Sequence, residues 1–445
     1  MTTRKMEILK PPLLIFQYIG LWRPVHWKSS WKTKLYNLYT CFVVFFVTSL
    51  TISELIALFM STDDIEVFAN TSFIALTMIG ICGKTSNILI KRQELIDLME
   101  SLRKAPCKPR NQEEMGIHEY FNRLTKLNTV GYGALTGFGA TSVLIRSFQD
   151  LAGDKVTYNA WVPYDDTSRM GFWVANLHQI LGHAVGAGIN VAFDTLVPGV
   201  MLLTCGQLNI LKLRFHQIPE TIFNGDRRKI KNPDAQIELM EEKMLAECIE
   251  HHLKIFKLAE TSNDIFSFMI FVQYSLSTIV LCVSVLQLTH MQPFSVEAAG
   301  VLMYLTCMLI QIFIYCLYGG QVTIESLALG DAVFETDWPS LSIKTKRTLV
   351  TVMSRTLRPI TFTSGRILTL NLDSFNSVSW LRFEHISQIL NEGVWHNCSI
   401  LSMYSFSNSP IQLIMYFKNH RNPKNYDEMK CQTWTDNYQF SRRSE

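Results

Sequence analysis

The chain has 445 residues, of which 48% are hydrophobic and only 18% charged, with a net charge of +3. Soluble domains carry nearer ~25% charge, and the apolar residues here gather in uncharged runs too long for soluble helices. That composition excludes a soluble enzyme, a disulfide-stapled secreted domain, a disordered chain and a nucleic-acid-binding field.

Residues 1–34 read as a cytoplasmic or interfacial N-terminus. Its apolar stretch Leu13–Trp22 lies between Pro11-Pro12 and Arg23-Pro24. It has no small-residue cleavage site and is expected to stay as a re-entrant or interfacial segment. Residues 35–319 read as a six-span bundle, because six stretches reach the ~20 apolar residues that cross hydrocarbon. They are Leu35–Met60, Val67–Leu89, Leu127–Ser147, Phe172–Leu203, Ile265–Thr289 and Ala298–Gly319. The fourth exceeds one crossing and is expected to tilt or to run on into the cytoplasm.

Lys and Arg crowd the N-terminal segment (Arg4, Lys5, Lys10, Arg23, Lys28, Lys32, Lys34) and the loops after the second and fourth spans. The alternate loops are nearly bare: 61–66 and 290–297 have neither residue, and 149–171 has only Lys155 and Arg169. The N-terminus is therefore expected inside the cell, opposite to a G-protein-coupled receptor. Asn70-Thr71-Ser72 is then a glycosylation acceptor on the outer side. The cytoplasmic loop 211–262 carries an apolar stripe through Ile237, Met240, Met244, Ile249, Leu253, Phe256 and Leu258, expected to pack on the extended fourth helix.

No chemistry-bearing motif is complete. Gly83-Lys84-Thr85 lacks the earlier glycine of a phosphate loop, and Lys84 reads as snorkelling to the inner interface. The cysteines include no C-x-x-C pair, and His178 and His183 stand five apart, off the spacing of helical metal ligands. No cofactor or metal is expected. Asp194 lies mid-helix in the fourth span near Asn190 and Pro198. An acid at that depth costs ~3 kcal/mol, so it must face protein or water, either as a gating contact or as a packing hydrogen bond. Gly133 with Gly137, and Gly182 with Gly186, have the small-xxx-small spacing of close helix packing.

Residues 320–377 carry a distinctive order: Glu325-Ser326-Leu327-Ala328, Phe334-Glu335-Thr336-Asp337-Trp338, a basic amphipathic stretch over 342–360 with Arg358-Pro359, then Gly365 and Leu370-Asn371-Leu372-Asp373-Ser374-Phe375. This closely resembles the C-terminal signature of insect odorant receptors. The resemblance implies an all-α polytopic bundle with a seventh helix and no enzymatic activity. It also implies a plasma-membrane subunit, on the dendrite of an olfactory sensory neuron, of a non-selective cation channel opened by small volatile ligands. Such a subunit forms a hetero-tetramer with a shared co-receptor, through the cytoplasmic loops and the start of the seventh helix. Asp194 and Trp338 are the gating or packing candidates. From depth and chemistry, Phe68, Phe73, Phe138, Ser142, Trp173, His178, Met303 and Tyr304 are candidates to line an outer-half pocket.

Residues 378–445 depart from that pattern. Where an apolar last helix is expected, the chain continues Val378-Ser379-Trp380-Leu381-Arg382 into a stretch rich in Asn, Ser and charge. Its best apolar run, 400–417, is interrupted by Pro410. The expectation is a read-through intron or mis-joined exon, which gives a rival reading of a non-conducting chain. Two other rivals are a G-protein-linked chemoreceptor and a transporter. The basic N-terminus counts against the first, and the absence of an internal repeat counts against the second.

Overall fold

The computed structural model describes residues 9–25, 27, 31–60, 65–152, 161–163, 168–224, 233–290 and 296–376, which all belong to one unit, Met1–Arg382. Of the expected glycosylation residue Asn70 and the pocket candidate Ser142 only the backbone is described, and the whole of 378–445 lies outside the described residues.

Two prolines that need no amide partner open α1 (Lys10–Ile19), and Gly20 closes it in the left-handed region at φ 94°, its N–H returned to Gln17 and Phe16 carbonyls. Leu9 sits over Gly199 and Ile19 over Gly188, so α1 is wedged into two glycine notches of α6 (Arg169–Asn224), with Phe16, Leu21 and Trp22 buried behind it.

The other helices are α2 (Trp31–Met60), α3 (Ile65–Ile90), α4 (Arg92–Arg103), α5 (Gln112–Ala152), α7 (Pro233–His290), α8 (Val296–Phe334) and α9 (Ile343–Thr356). Among the described residues α2, α3, α6, α7 and α8 are long and apolar enough to cross a membrane. The third expected span falls in α5. That helix is more polar: Thr125, Thr129 and Thr136 return their hydroxyls to carbonyls one turn back, satisfied inside the helix itself.

α6 is the hub. Every residue from 191 to 208 is buried, so this stretch is covered on all sides and must be ringed by other helices. α5, α7, α8 and α1 provide that ring. The fourth expected span does run on, as one helix to Asn224 with Pro198 and Pro219 inside it. Of the stripe expected on 237–258, Leu258 is buried, while Met240 and Leu253 face outward.

The glycine pairs split in the same way. Gly182 and Gly186 press on Leu50 and Ile81, whereas Gly133 makes an ordinary contact with Val191 and Gly137 opens onto space. The basic stretch after Trp338 forms α9, capped by Ser342, whose Oγ accepts from Thr345 N, with Leu349 and Val352 buried. A two-stranded hairpin, Thr363–Ser364 with Leu368–Thr369, follows it.

Candidate functional site

Lys84 corrects the sequence reading. A lone lysine six residues from the end of a span reaches the interface when nothing else answers it, but this one is fully buried. Its Nζ donates to Asp194 Oδ1 at 2.7 Å and to Asn190 Oδ1. The same Oδ1 accepts from the Tyr315 hydroxyl at 2.7 Å, and Oδ2 has Tyr132 OH at 3.5 Å. Lys84 Nζ also stands 5.7 Å from the Phe193 ring. One charge pair thus ties α3, α5, α6 and α8 inside the apolar bundle, and the ion pair together with its hydroxyl donors replaces the water both charges have lost. Pro198 removes the amide that would bond the Asp194 carbonyl, loosening the helix at this residue.

Farther along α8, Tyr304 OH is 2.7 Å from Thr77 Oγ1, and its ring meets Phe73 at 4.3 Å. Met303 lies over Gly139 of α5. Tyr304 and Tyr315 are eleven residues apart, or about 16 Å on a helix. A second group joins α2 and α6: His178 Nε2 is 3.1 Å from Ser49 Oγ, and its ring stands edge-on to Phe46 at 4.6 Å.

The structure therefore unites Phe73, Met303 and Tyr304 across α3, α5 and α8, and seats His178 elsewhere. Phe68 is half-buried. Phe138, at 66% exposure, and Trp173, at 50%, stand on the outside of the bundle, apart from the group around Tyr304. The Trp338 indole N–H donates to Val333 O at 3.0 Å.

Sequence reasoning missed Glu54. It is the one charged residue between Leu35 and Met60, a signal in itself, and it is buried with Oε1 2.9 Å from His183 Nε2. Glu54 Oε2 and Asn176 Oδ1 are buried acceptors with no protein hydrogen bond among the described residues. Also missed was a second buried pair beyond the apolar part of α6. Arg214 clasps Glu114 with two bonds of 2.8 Å and donates to the carbonyls of Pro106 and Lys108. It also donates to His251 Nδ1, so that ring is neutral, with Nε2–H directed at Gln207 Oε1. Nearby, burial pushes the Cys107 thiol up to about 11 against the pull of Lys254 and Arg214, leaving an unreactive thiol at neutral pH. No cluster of three or more metal-ligating side chains occurs among the described residues.

A family model described as 7tm Odorant receptor matches residues 64–381, most of the chain. The chain belongs to the seven-transmembrane odorant receptor family. The receptor is 25% identical to Odorant receptor 2a of Drosophila melanogaster, over 83% of this chain and 92% of that one. It is 23% identical to Odorant receptor Or1 of Anopheles gambiae, over 84% and 93%. In fold it matches the insect olfactory receptor OR5 of Machilis hrabei, solved in complex with eugenol, with a TM-score of 0.72 and 18% identity over 86% of this chain and 98% of the other. The receptor is thus a helical membrane protein of insect olfaction and not an enzyme, as the C-terminal signature had implied.

Proposed function

We propose that the receptor is an odorant-tuned subunit that opens a non-selective cation channel with a shared co-receptor, as a hetero-tetramer in the dendritic plasma membrane of an olfactory neuron. Its N-terminus is inside, and a small volatile ligand enters the outer half of the bundle beside Phe73, Thr77, Met303 and Tyr304, with His178 and Phe68 as further wall candidates. The observation that carries this reading is the placement of two tyrosines on α8. Tyr304 belongs to an aromatic and polar group, while Tyr315 holds the Asp194 carboxylate. A ligand that shifts α8 at Tyr304 also pulls on the charge pair that joins four helices. Asp194 is then the gating contact of this chain. The exposed Ile343 and Val350 of α9, with Leu357 just after it, suit a subunit contact.

Co-expression with an odorant co-receptor tests the reading. A volatile panel that includes eugenol is expected to evoke a cation current that persists when G proteins are blocked, and Tyr304→Ala is expected to shift its dose dependence. A current abolished by that block would give the G-protein reading instead. The polar sequence of 378–445 favours a second reading, a non-conducting chain. Transcripts that splice after codon 377 into an apolar ending would remove it, and transcripts that read through to Glu445 would support it.

A further inference from the structure

We propose that Arg23 and Arg92 together bind the phosphate of an anionic phospholipid in the cytoplasmic leaflet, an inference that rests on the inward N-terminus proposed above. Arg23 follows α1, and its guanidinium NH1 donates to Asn37 Oδ1 at 3.1 Å. Its Nε is buried with no hydrogen-bond partner among the described residues. Arg92 opens α4; NH2 donates to the Arg23 carbonyl at 2.8 Å, and the guanidinium lies 5.2 Å over the Trp22 ring. The fold thus brings two cations to one place and fixes both by backbone, amide and aromatic contacts. Among the described residues neither makes an ion pair, and the carboxylate of Glu94 is taken by Lys91 at 2.8 Å. Burial, and after it the charge of Arg23, lowers the pKa of Arg92, as expected of two guanidiniums that lack a shared anion.

The surroundings give the depth. Trp27, Tyr36 and Tyr39 stand in successive edge-on contacts of 6.0 and 6.1 Å, and the two tyrosines donate to the carbonyls of Gln17 and Tyr18. Such amphipathic rings settle at the headgroup level. Beyond them the outer face of α2 becomes apolar, with Phe42, Phe45 and Ile52 exposed. A phosphate on a lipid chain is the anion present at that level, and paired guanidinium forks match its oxygens.

The test uses the full-length receptor from phosphatidylcholine vesicles with and without phosphatidylserine, with retained lipid counted by native mass spectrometry. Wild type is expected to keep phosphatidylserine in preference to phosphatidylcholine. Arg23→Gln should weaken that binding about fivefold and the double Arg23→Gln, Arg92→Gln about 25-fold, while Arg→Lys at both sites should fall between. Lys34→Gln, which removes an exposed charge nearby, should change it little. Equal retention by Arg23→Gln and wild type overturns the proposal, as does an equal loss in Lys34→Gln. Displacement of the lipid by inorganic phosphate at matched concentration also overturns it, in favour of a free-anion site. If the double variant does not fold, Arg23→Gln against Arg23→Lys decides alone. Both leaflets carry the lipid and no current is read, so this outcome is independent of orientation and of odorant gating.

Discussion

The Lys84–Asp194 pair and the Arg214–Glu114 pair are both withdrawn from solvent, yet they are held by different kinds of partner. Asn190, Tyr132 and Tyr315, which complete the first, are all side chains, drawn from three helices. The second is completed largely by main chain: the carbonyls of Pro106 and Lys108 accept from Arg214, and the amide of Arg110 donates to Glu114. A side-chain clasp re-forms when helices slide by an ångström or two, since rotamers follow, whereas a backbone-bound clasp breaks or holds. The difference suits the first to the gating contact proposed above and the second to a fixed joint for α5, α6 and α7.

The largest effect is expected at the fixed joint. Glu114→Leu leaves Arg214 buried without its carboxylate and should cost about 3–5 kcal/mol. It would appear as loss of the monodisperse receptor in detergent, and Arg214→Met in the same chain should recover much of it. Asp194→Asn should cost about 3 kcal/mol by removing the countercharge of Lys84, read as a lowered melting temperature. If the pair is a movable contact, this variant also changes the basal current of the co-expressed channel, which Glu114→Leu at the residual expression level does not. Tyr315→Phe removes one hydrogen bond to a charged acceptor, about 1.5–3 kcal/mol. Tyr304→Phe removes a neutral one to Thr77, about 1 kcal/mol. Its melting should be nearly that of wild type, with any larger change confined to odorant dose dependence.

The sequence showed the elements because their causes are local. The apolar spans and the capped amphipathic helix after Trp338 follow from spacing within a few turns, and the signature over 325–375 marked the family. The partners were hidden because their causes are distant. Lys84 was read as a single residue in an apolar helix, and nothing within its own span contradicts snorkelling; its answer lies 110 residues later in Asp194. Arg214 was one of many basic residues in a loop, and only the fold shows that it faces Glu114 rather than water. Phe138 and Trp173 show the limit from the other side. Depth and residue type nominated them for a pocket, but a helix has several faces and their side chains took the outer one.

The wedge of α1 into the notches of α6 also has a consequence for the order of synthesis. Leu9 and Ile19 rest on Gly199 and Gly188, roughly 170–190 residues later in the chain. At ~5–20 residues per second the ribosome makes α1 about 10–40 s before its seat exists. In that interval α1 has only early partners such as Tyr36 and Tyr39 of α2 and the membrane surface beside it, and lacks its seat on α6. Insertion of α6 is then the event that closes the N-terminal half of the fold.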